Sequence, residues 1–274
     1  MNKSVATKLR IAVLCTIFSF VLVQQTRAQN ENIIRYARFA HNDEIKYGIV
    51  KGEKVNLLQG DLFGKWKKTD VFVPLNEVQL LAPCEPSKVI AMAYNFASHT
   101  VDRPPPEKPL PFAKLPTCII GHGDNIEMPD KASNLHYEGE LVAVFKKKTQ
   151  NISREEVADH ILGVTIGNDV SERNWQRDDP RWLLAKASDT FGPLGPWIVN
   201  GLNHNDLLIE TRLNGETVQS QPTSDMFFSL EECISYLSEY ITFYPGDVIF
   251  LGTPGITKKM EVGDVVEIEI EHIG

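Results

Sequence analysis

Tyr137-Glu-Gly-Glu-Leu-Val-Ala-Val-Phe145 decides how this chain is read. The run from Glu140 to Phe145 has the composition of a strand, and Lys146-Lys147-Lys148 marks its solvated end. Side chains alternate along a strand, so Glu138 and Glu140 point one way and only Gly139 points the other. A second apolar run, Ile161-Leu-Gly-Val-Thr-Ile-Gly167, ends in Gly-Asn-Asp-Val-Ser-Glu-Arg and delivers Asp169. Two same-face carboxylates plus a third from a neighbouring strand end form a half-shell for a hard cation, Mg²⁺, Mn²⁺ or Ca²⁺, all of which take oxygen ligands. The same strings also read as surface acids on an acidic protein, and spacing alone leaves both readings open.

Outward from this segment, strand signals dominate. Ile34–Phe39, Lys46–Val50 and Lys54–Leu58 form a small antiparallel meander with turns at His41-Asn42-Asp43 and Lys51-Gly52-Glu53. Short strands follow at 78–81 and 88–92. Leu207–Leu213 and Glu216–Val218 flank an Asn214-Gly215 turn, and two late strands cover 247–251 and 264–271. Helix signals are few. Ser153 with Glu156, and Ser229 with Glu232, each make a capping box, the second followed by apolar residues at 230, 233, 234 and 237. Arg103-Pro-Pro-Pro-Glu-Lys-Pro-Leu-Pro111 favours extended backbone and reads either as a linker or as a loop facing the site. The sum is a β-rich α+β fold.

The 274 residues are 42% hydrophobic and 23% charged, with a formal net charge of −8, which suits a globular protein with one large domain. No Lys/Arg cluster with interleaved aromatics recurs, which argues against a nucleic-acid partner. Residues 1–28 have the shape of a secretory signal: Lys3, Lys8 and Arg10, an apolar stretch from Ile11 to Val23, and Ala28 at a cleavage position. That reading makes the protein exported, periplasmic or secreted, with no stable membrane insertion after cleavage. An uncleaved leader would instead anchor it. Residues 29–81 then form a small N-terminal β subdomain and 82–274 the catalytic domain. Cys84, Cys118 and Cys233 are too sparse for a disulfide framework or a zinc site and are expected as buried thiols.

Four further clusters carry chemistry. His99 with Asp102 makes a pair in which the acid orients the imidazole to take a proton from water. Arg173 with Gln176 offers a guanidinium fork and a neutral amide to a substrate carboxylate. Lys186, before a Pro/Gly-shaped loop, can donate to an oxyanion. Thr253, in Gly252-Thr-Pro-Gly255, offers a hydroxyl at a glycine turn. Each has a plain alternative: a surface His beside an acid, a solvated Arg, an exposed Lys, an ordinary strand-end turn.

Together these strings resemble the fumarylacetoacetate hydrolase superfamily from about Ala82 to Gly274. Those that carry the resemblance are Tyr137-Glu-Gly-Glu-Leu-Val-Ala-Val, Gly167-Asn-Asp-Val-Ser-Glu-Arg-Asn-Trp-Gln, Lys186-Ala-Ser-Asp-Thr-Phe-Gly-Pro-Leu-Gly-Pro-Trp and Gly252-Thr-Pro-Gly. The acylpyruvate hydrolase and 2-hydroxyhepta-2,4-diene-1,7-dioate isomerase branch is the nearest in character. The resemblance implies a mixed β-roll, a homodimer, and Mg²⁺ (or Mn²⁺ or Ca²⁺) held by Glu138, Glu140 and Asp169. It implies His99 and Asp102 as the water-activating dyad, Lys186 as the oxyanion or enolate stabiliser, and Arg173, Gln176 and Thr253 as substrate-seating residues. The chain departs from the family at Asp102, where Glu is usual, and at Asn95-Phe96, where Asn-Tyr is usual. The implied reaction is metal-dependent hydrolysis of a C–C bond in a β-diketo or 2-oxo carboxylate of acylpyruvate or fumarylacetoacetate type, through a stabilised enolate. Isomerisation or decarboxylation of a 2-hydroxymuconate-type acid or oxaloacetate is the alternative on the same scaffold. A secreted metal-binding module without catalysis is a third, which His99 and Asp102 argue against.

Overall fold

The computed structural model describes residues 33–101 and 103–274. The leader-like residues 1–28 and Asp102 lie outside them. Among the described residues no helix is long and apolar enough to cross a membrane.

The strand Gly139–Phe145 sits deep within a twelve-stranded sheet. Ordered across the sheet, the strands are Trp66–Pro74, Lys54–Gly60, Glu44–Lys51, Ile34–His41, Gly192–Asn200, Ile161–Asn168, Gly139–Phe145, Val248–Phe250, Val89–Ala93 and Leu110–Lys114, with two short strands off this path. Every residue of Gly139–Phe145 is buried. Leu141, Ala143 and Phe145 enter one core with Ile90, Met92 and Ile249. Val142 and Val144 enter the other with Val89, Ala91, Val248 and Phe250. A strand covered on both faces must be apolar at odd and even positions alike, hence the unbroken run in sequence. The fold class read from the sequence, β-rich with few short helices, is the one observed.

Register brings the acids together. Gly139–Phe145 runs antiparallel to Ile161–Asn168, with Gly139 opposite Asn168 and Glu140 opposite Gly167. Asp169, one residue on, donates its backbone N–H to the Glu138 carbonyl at 2.9 Å. Gly139 faces away from both glutamates, as alternation requires. A Cβ there would collide with Thr211 Oγ1 and stand 3.1 Å from Ile268 Cγ2. Those residues belong to a second sheet of Glu216–Pro222, Leu208–Leu213 and Val266–Ile270. Glycine between the two glutamates therefore lets that sheet pack directly beneath the acidic pair.

Three differences from the sequence reading have local causes. Trp66–Pro74 forms a fourth strand of the N-terminal meander, at the open edge of the sheet. Lys67, Lys68 and Asp70 masked it as polar, because an edge strand buries little. Arg154–Asp159 is a 3₁₀ rather than an α-helix, although Glu156 does close the box on the Ser153 N–H at 2.9 Å. Two short α-helices, Arg173–Asp178 and Leu183–Ala187, have no periodic signal of their own. The first is nucleated by Glu172, buried, whose carboxylate accepts from Trp175 N at 2.7 Å and from Asn134 N at 2.7 Å. The helix Leu230–Ser238 follows the sequence closely, burying Leu230, Cys233, Ile234 and Leu237 behind its capping box. All three described cysteines are free and buried, and burial pushes the thiols of Cys84 and Cys233 up to about 12.

Gly139→Ala is expected to lower stability by about 1–3 kcal/mol through overpacking against the second sheet. Urea unfolding of the variant measures this, and an unchanged midpoint would show that the two sheets do not meet as closely as the structure places them.

Candidate metal and catalytic site

Glu138, Glu140 and Asp169 are buried together, each offering a carboxylate oxygen within 4.8 Å of the others. Their surroundings are unequal. Glu138 receives Lys186 Nζ at 2.6 Å on one oxygen and Arg173 Nη2 at 2.6 Å on the other. Asp169 receives Lys186 Nζ at 2.6 Å and Lys114 Nζ at 2.6 Å. Among the described residues Glu140 has no cationic partner in contact and accepts only from the Gly252 N–H, at 2.7 Å. That N–H is aimed by a backbone at φ +97°, where a Cβ would stand 3.0 Å from Asn95 Cβ.

Electrostatics follows this inequality. Burial alone would raise the Glu138 carboxyl, but Lys186, Arg173 and His99 outweigh it and hold the group well below the usual carboxylate range. Burial pushes Glu140 well above that range, and the charges on Asp169 and Glu138 push it further. Burial would lower Lys186, but Asp169 and Glu138 prevail and it stays a raised, ammonium-bearing lysine. Three cations thus contact Glu138 and Asp169, and among the described residues none contacts Glu140. An oxygen-only donor set with one uncompensated buried carboxylate fits a hard divalent cation, which Glu138, Glu140 and Asp169 would hold.

Glu138 and Glu140 line a cavity together with His99, Gln176, Lys186 and Thr253, and Asp169 stands behind them. His99 is in a 3₁₀ turn, Ala97–His99. Its Nδ1 is 2.6 Å from the Gly255 carbonyl, which only accepts, so Nδ1 carries the proton. Nε2 faces Glu138 Oε1 at 3.8 Å, and in the neutral imidazole it is the nitrogen that accepts a proton. The described orienting partner of His99 is therefore a backbone carbonyl, whereas the sequence-expected partner, Asp102, lies outside the described residues.

Arg173 and Gln176 come together, Nη1 donating to Gln176 Oε1 at 2.8 Å. The guanidinium also binds Glu138 and Thr257 Oγ1, at 2.7 Å for the latter, and does not line the cavity. In this arrangement Arg173 steadies Glu138, while Gln176 is the half of the pair that reaches the cavity. The Thr253 hydroxyl proton goes to the Gly139 carbonyl at 2.9 Å, which leaves the oxygen, not a free donor, for a ligand.

Several residues essential to the geometry have no motif. Lys114, buried at the end of an edge strand, also donates to the carbonyls of Lys186 and Phe191. Gln219 is 2% exposed and links the strand of the glutamates to one loop. Its amide donates to Thr253 Oγ1 at 3.0 Å and to the Pro254 carbonyl, and its oxygen accepts from Gly139 N at 3.4 Å. Beside Arg173, Thr257 Oγ1 lies 2.9 Å from His136 Nδ1, and His136 Nε2 lies 3.0 Å from Asn134 Oδ1. Burial, reinforced by the Arg173 charge, lowers His136 to about 4, so it is a neutral link in this chain of contacts.

Comparison with known proteins agrees with this site. Residues 88–274 match the family model described as fumarylacetoacetate (FAA) hydrolase, C-terminal. Residues 34–83 match the Rv2993c-like N-terminal model. The mitochondrial oxaloacetate tautomerase FAHD2A of Homo sapiens is 39% identical over 217 residues, covering 74% of this chain and 69% of its own length. The structure of 2-hydroxyhepta-2,4-diene-1,7-dioate isomerase from Mycobacterium marinum superposes with a TM-score of 0.83 at 37% identity, over 88% of this chain and 95% of that one. That of 5-carboxymethyl-2-hydroxymuconate delta-isomerase from Mycobacterium smegmatis gives 0.83 at 39% identity, over 88% and 96%. With its acids, lysine and histidine in one cavity and these matches along its length, the chain belongs to the fumarylacetoacetate hydrolase family of enzymes.

Proposed function

We propose that this protein is a divalent-cation-dependent hydrolase that cleaves a C–C bond in a β-diketo or 2-oxo carboxylate of acylpyruvate or fumarylacetoacetate type. The observation that carries the reading is a buried carboxylate cluster, with Glu140 lacking a cationic contact among the described residues, beside a cavity that His99 lines with its Nδ1 tied to a backbone carbonyl and its Nε2 towards Glu138. A cation such as Mg²⁺ or Mn²⁺ would supply Lewis-acid polarisation of the oxo-acid. The remaining work falls to side chains. Lys186, held at 2.6 Å from two carboxylates, presents its ammonium to the oxygen on which negative charge develops. His99 Nε2 takes a proton from water, and the hydroxide adds to the distal carbonyl. The C–C bond breaks with its electron pair going to the oxo-acid fragment, and the imidazolium returns the proton to that carbon. Gln176 and Thr253 orient the substrate at the cavity wall, and Arg173 keeps Glu138 in place.

A second reading, keto–enol isomerisation without water, is favoured by the names of relatives at 37–39% identity, two isomerases and an oxaloacetate tautomerase. It uses the same residues, with His99 moving a proton between carbon and oxygen of the substrate. A panel of acylpyruvates and oxaloacetate, with products scored separately for cleavage, tautomerisation and decarboxylation, decides between the two. Cleavage of an acylpyruvate supports hydrolysis. Interconversion alone supports the isomerase, and inertness towards every oxo-acid defeats both.

His99→Asn should lower kcat about 10²–10⁴-fold, the usual contribution of a general base. Divalent-cation affinity by calorimetry should be retained, and its loss together with activity would reassign His99. A further consequence concerns the chelator-treated protein. A carboxyl whose folded-state pKa lies above its unfolded value stabilises the fold at low pH and loses that contribution as pH rises through the folded pKa. Glu140 is such a group. Stability of the metal-free protein should fall as pH rises above the ordinary carboxylate range, and Glu140→Gln should flatten that part of the profile. Equal slopes for the two proteins in urea melts across pH would contradict this.

A further inference from the structure

The cavity has a second wall whose chemistry the reaction does not use. Tyr94, Phe112 and Trp182 line it beside the acidic residues. Their rings interlock: Tyr94 meets Trp182 edge-on with centroids 5.7 Å apart, and Phe112 meets Trp182 at 5.4 Å. The wall adjoins the reacting groups, because Lys186 Nζ lies 5.3 Å from the Phe112 ring centre. Tyr94 and Trp182 both have left-handed backbones, φ +57° and φ +59°. Bulky residues rarely take that conformation and hold it only where their surroundings enforce it, characteristically at functional sites.

The enforcement is visible at each ring. After Tyr94, the buried Asn95 side chain donates to the carbonyls of Phe228 and Leu251 and accepts from Phe228 N at 2.9 Å. The Arg103 guanidinium stacks over the Tyr94 ring at 4.7 Å. The Trp182 backbone N–H donates to the Asp179 carbonyl at 3.0 Å and its carbonyl accepts from Lys186 N at 3.0 Å, which ties its backbone to the helix that carries the lysine. The backbones are thus held in place, and the rings pack edge to face on one another.

We infer that the Tyr94–Trp182–Phe112 wall sets the substrate specificity of this site: it packs against the acyl substituent distal to the oxo-acid and restricts it to a short one. Trp182, central to the wall, is the principal determinant. The inference rests on the assignment of the site to 2-oxo carboxylates and adds which of them it takes. Short acyl groups fit under the rings, whereas a linear chain of six carbons or a phenyl ring would need the space that the indole fills.

The test compares kcat/KM for acetylpyruvate, hexanoylpyruvate and benzoylpyruvate, counting either cleavage or keto–enol interconversion as turnover, in the full chain with Mg²⁺ or Mn²⁺. The variants are Trp182→Gly, which removes the indole and accepts the left-handed backbone without strain, and Phe112→Ala, which opens the same wall from a different strand. The wild type should favour acetylpyruvate over the two larger substrates by at least about tenfold, the scale on which an apolar pocket discriminates by size. That ratio should fall at least about fivefold in each variant that retains turnover. A merely structural defect lowers all three rates together and leaves the ratio in place, and that result overturns the inference, as does a wild type indifferent to substituent size. A wild type inert towards every oxo-acid defeats the underlying assignment instead, and is told apart by the absence of any rate to compare.

Discussion

Lys186 Nζ stands 2.6 Å from both Glu138 and Asp169, inside a part of the fold from which water is nearly excluded, and the rest of the site is arranged around that contact. Buried charges are tolerated only when paired and hydrogen-bonded, and breaking such a pair typically costs about 3–5 kcal/mol. Lys114 and Arg173 extend the pairing outward, one behind Asp169 and one behind Glu138. Glu140 remains outside this compensation, with a single backbone N–H. The fold has therefore built a charge deficit at one defined point, beside a cavity with a base on its wall. A hard cation and an anionic oxo-acid are the ligands that such a deficit and its flanking cations recognise.

The deficit depends on the packing of distant segments. Gly139 lets the strand carrying both glutamates lie against the second sheet. From that sheet Gln219 reaches to hold the Gly139 backbone and the Thr253-Pro254 loop together. The same loop supplies Gly252 to Glu140 and Gly255 to His99. Metal ligands, base and cavity wall are thus positioned by one set of contacts, and an error in any of them is felt by the others.

What was legible in the sequence was local. Alternation about Gly139 placed two carboxylates on one face, and an apolar strand ending in Gly-Asn-Asp supplied the third. Both follow from strand geometry that a few residues determine. The capping box at Ser229 was legible for the same reason. The partners of these groups were not. Gly255 meets His99 across 156 residues, and Lys114 meets Asp169 across 55, so neither contact leaves a trace in spacing. Lys114 sits in Phe-Ala-Lys-Leu with nothing to mark it as buried, and Gln219 reads as a polar strand residue. Arg173 was legible as a site residue, but its engagement with Glu138 depended on a six-residue helix that only tertiary capping by Glu172 creates.

Joint binding of one divalent cation by Glu138, Glu140 and Asp169 is tested most directly by anomalous diffraction from crystals grown with Mn²⁺. A single strong peak is expected within bonding distance of oxygens from all three carboxylates. Ordered density for the three side chains with no peak between them, at a Mn²⁺ concentration that supports turnover, would contradict it.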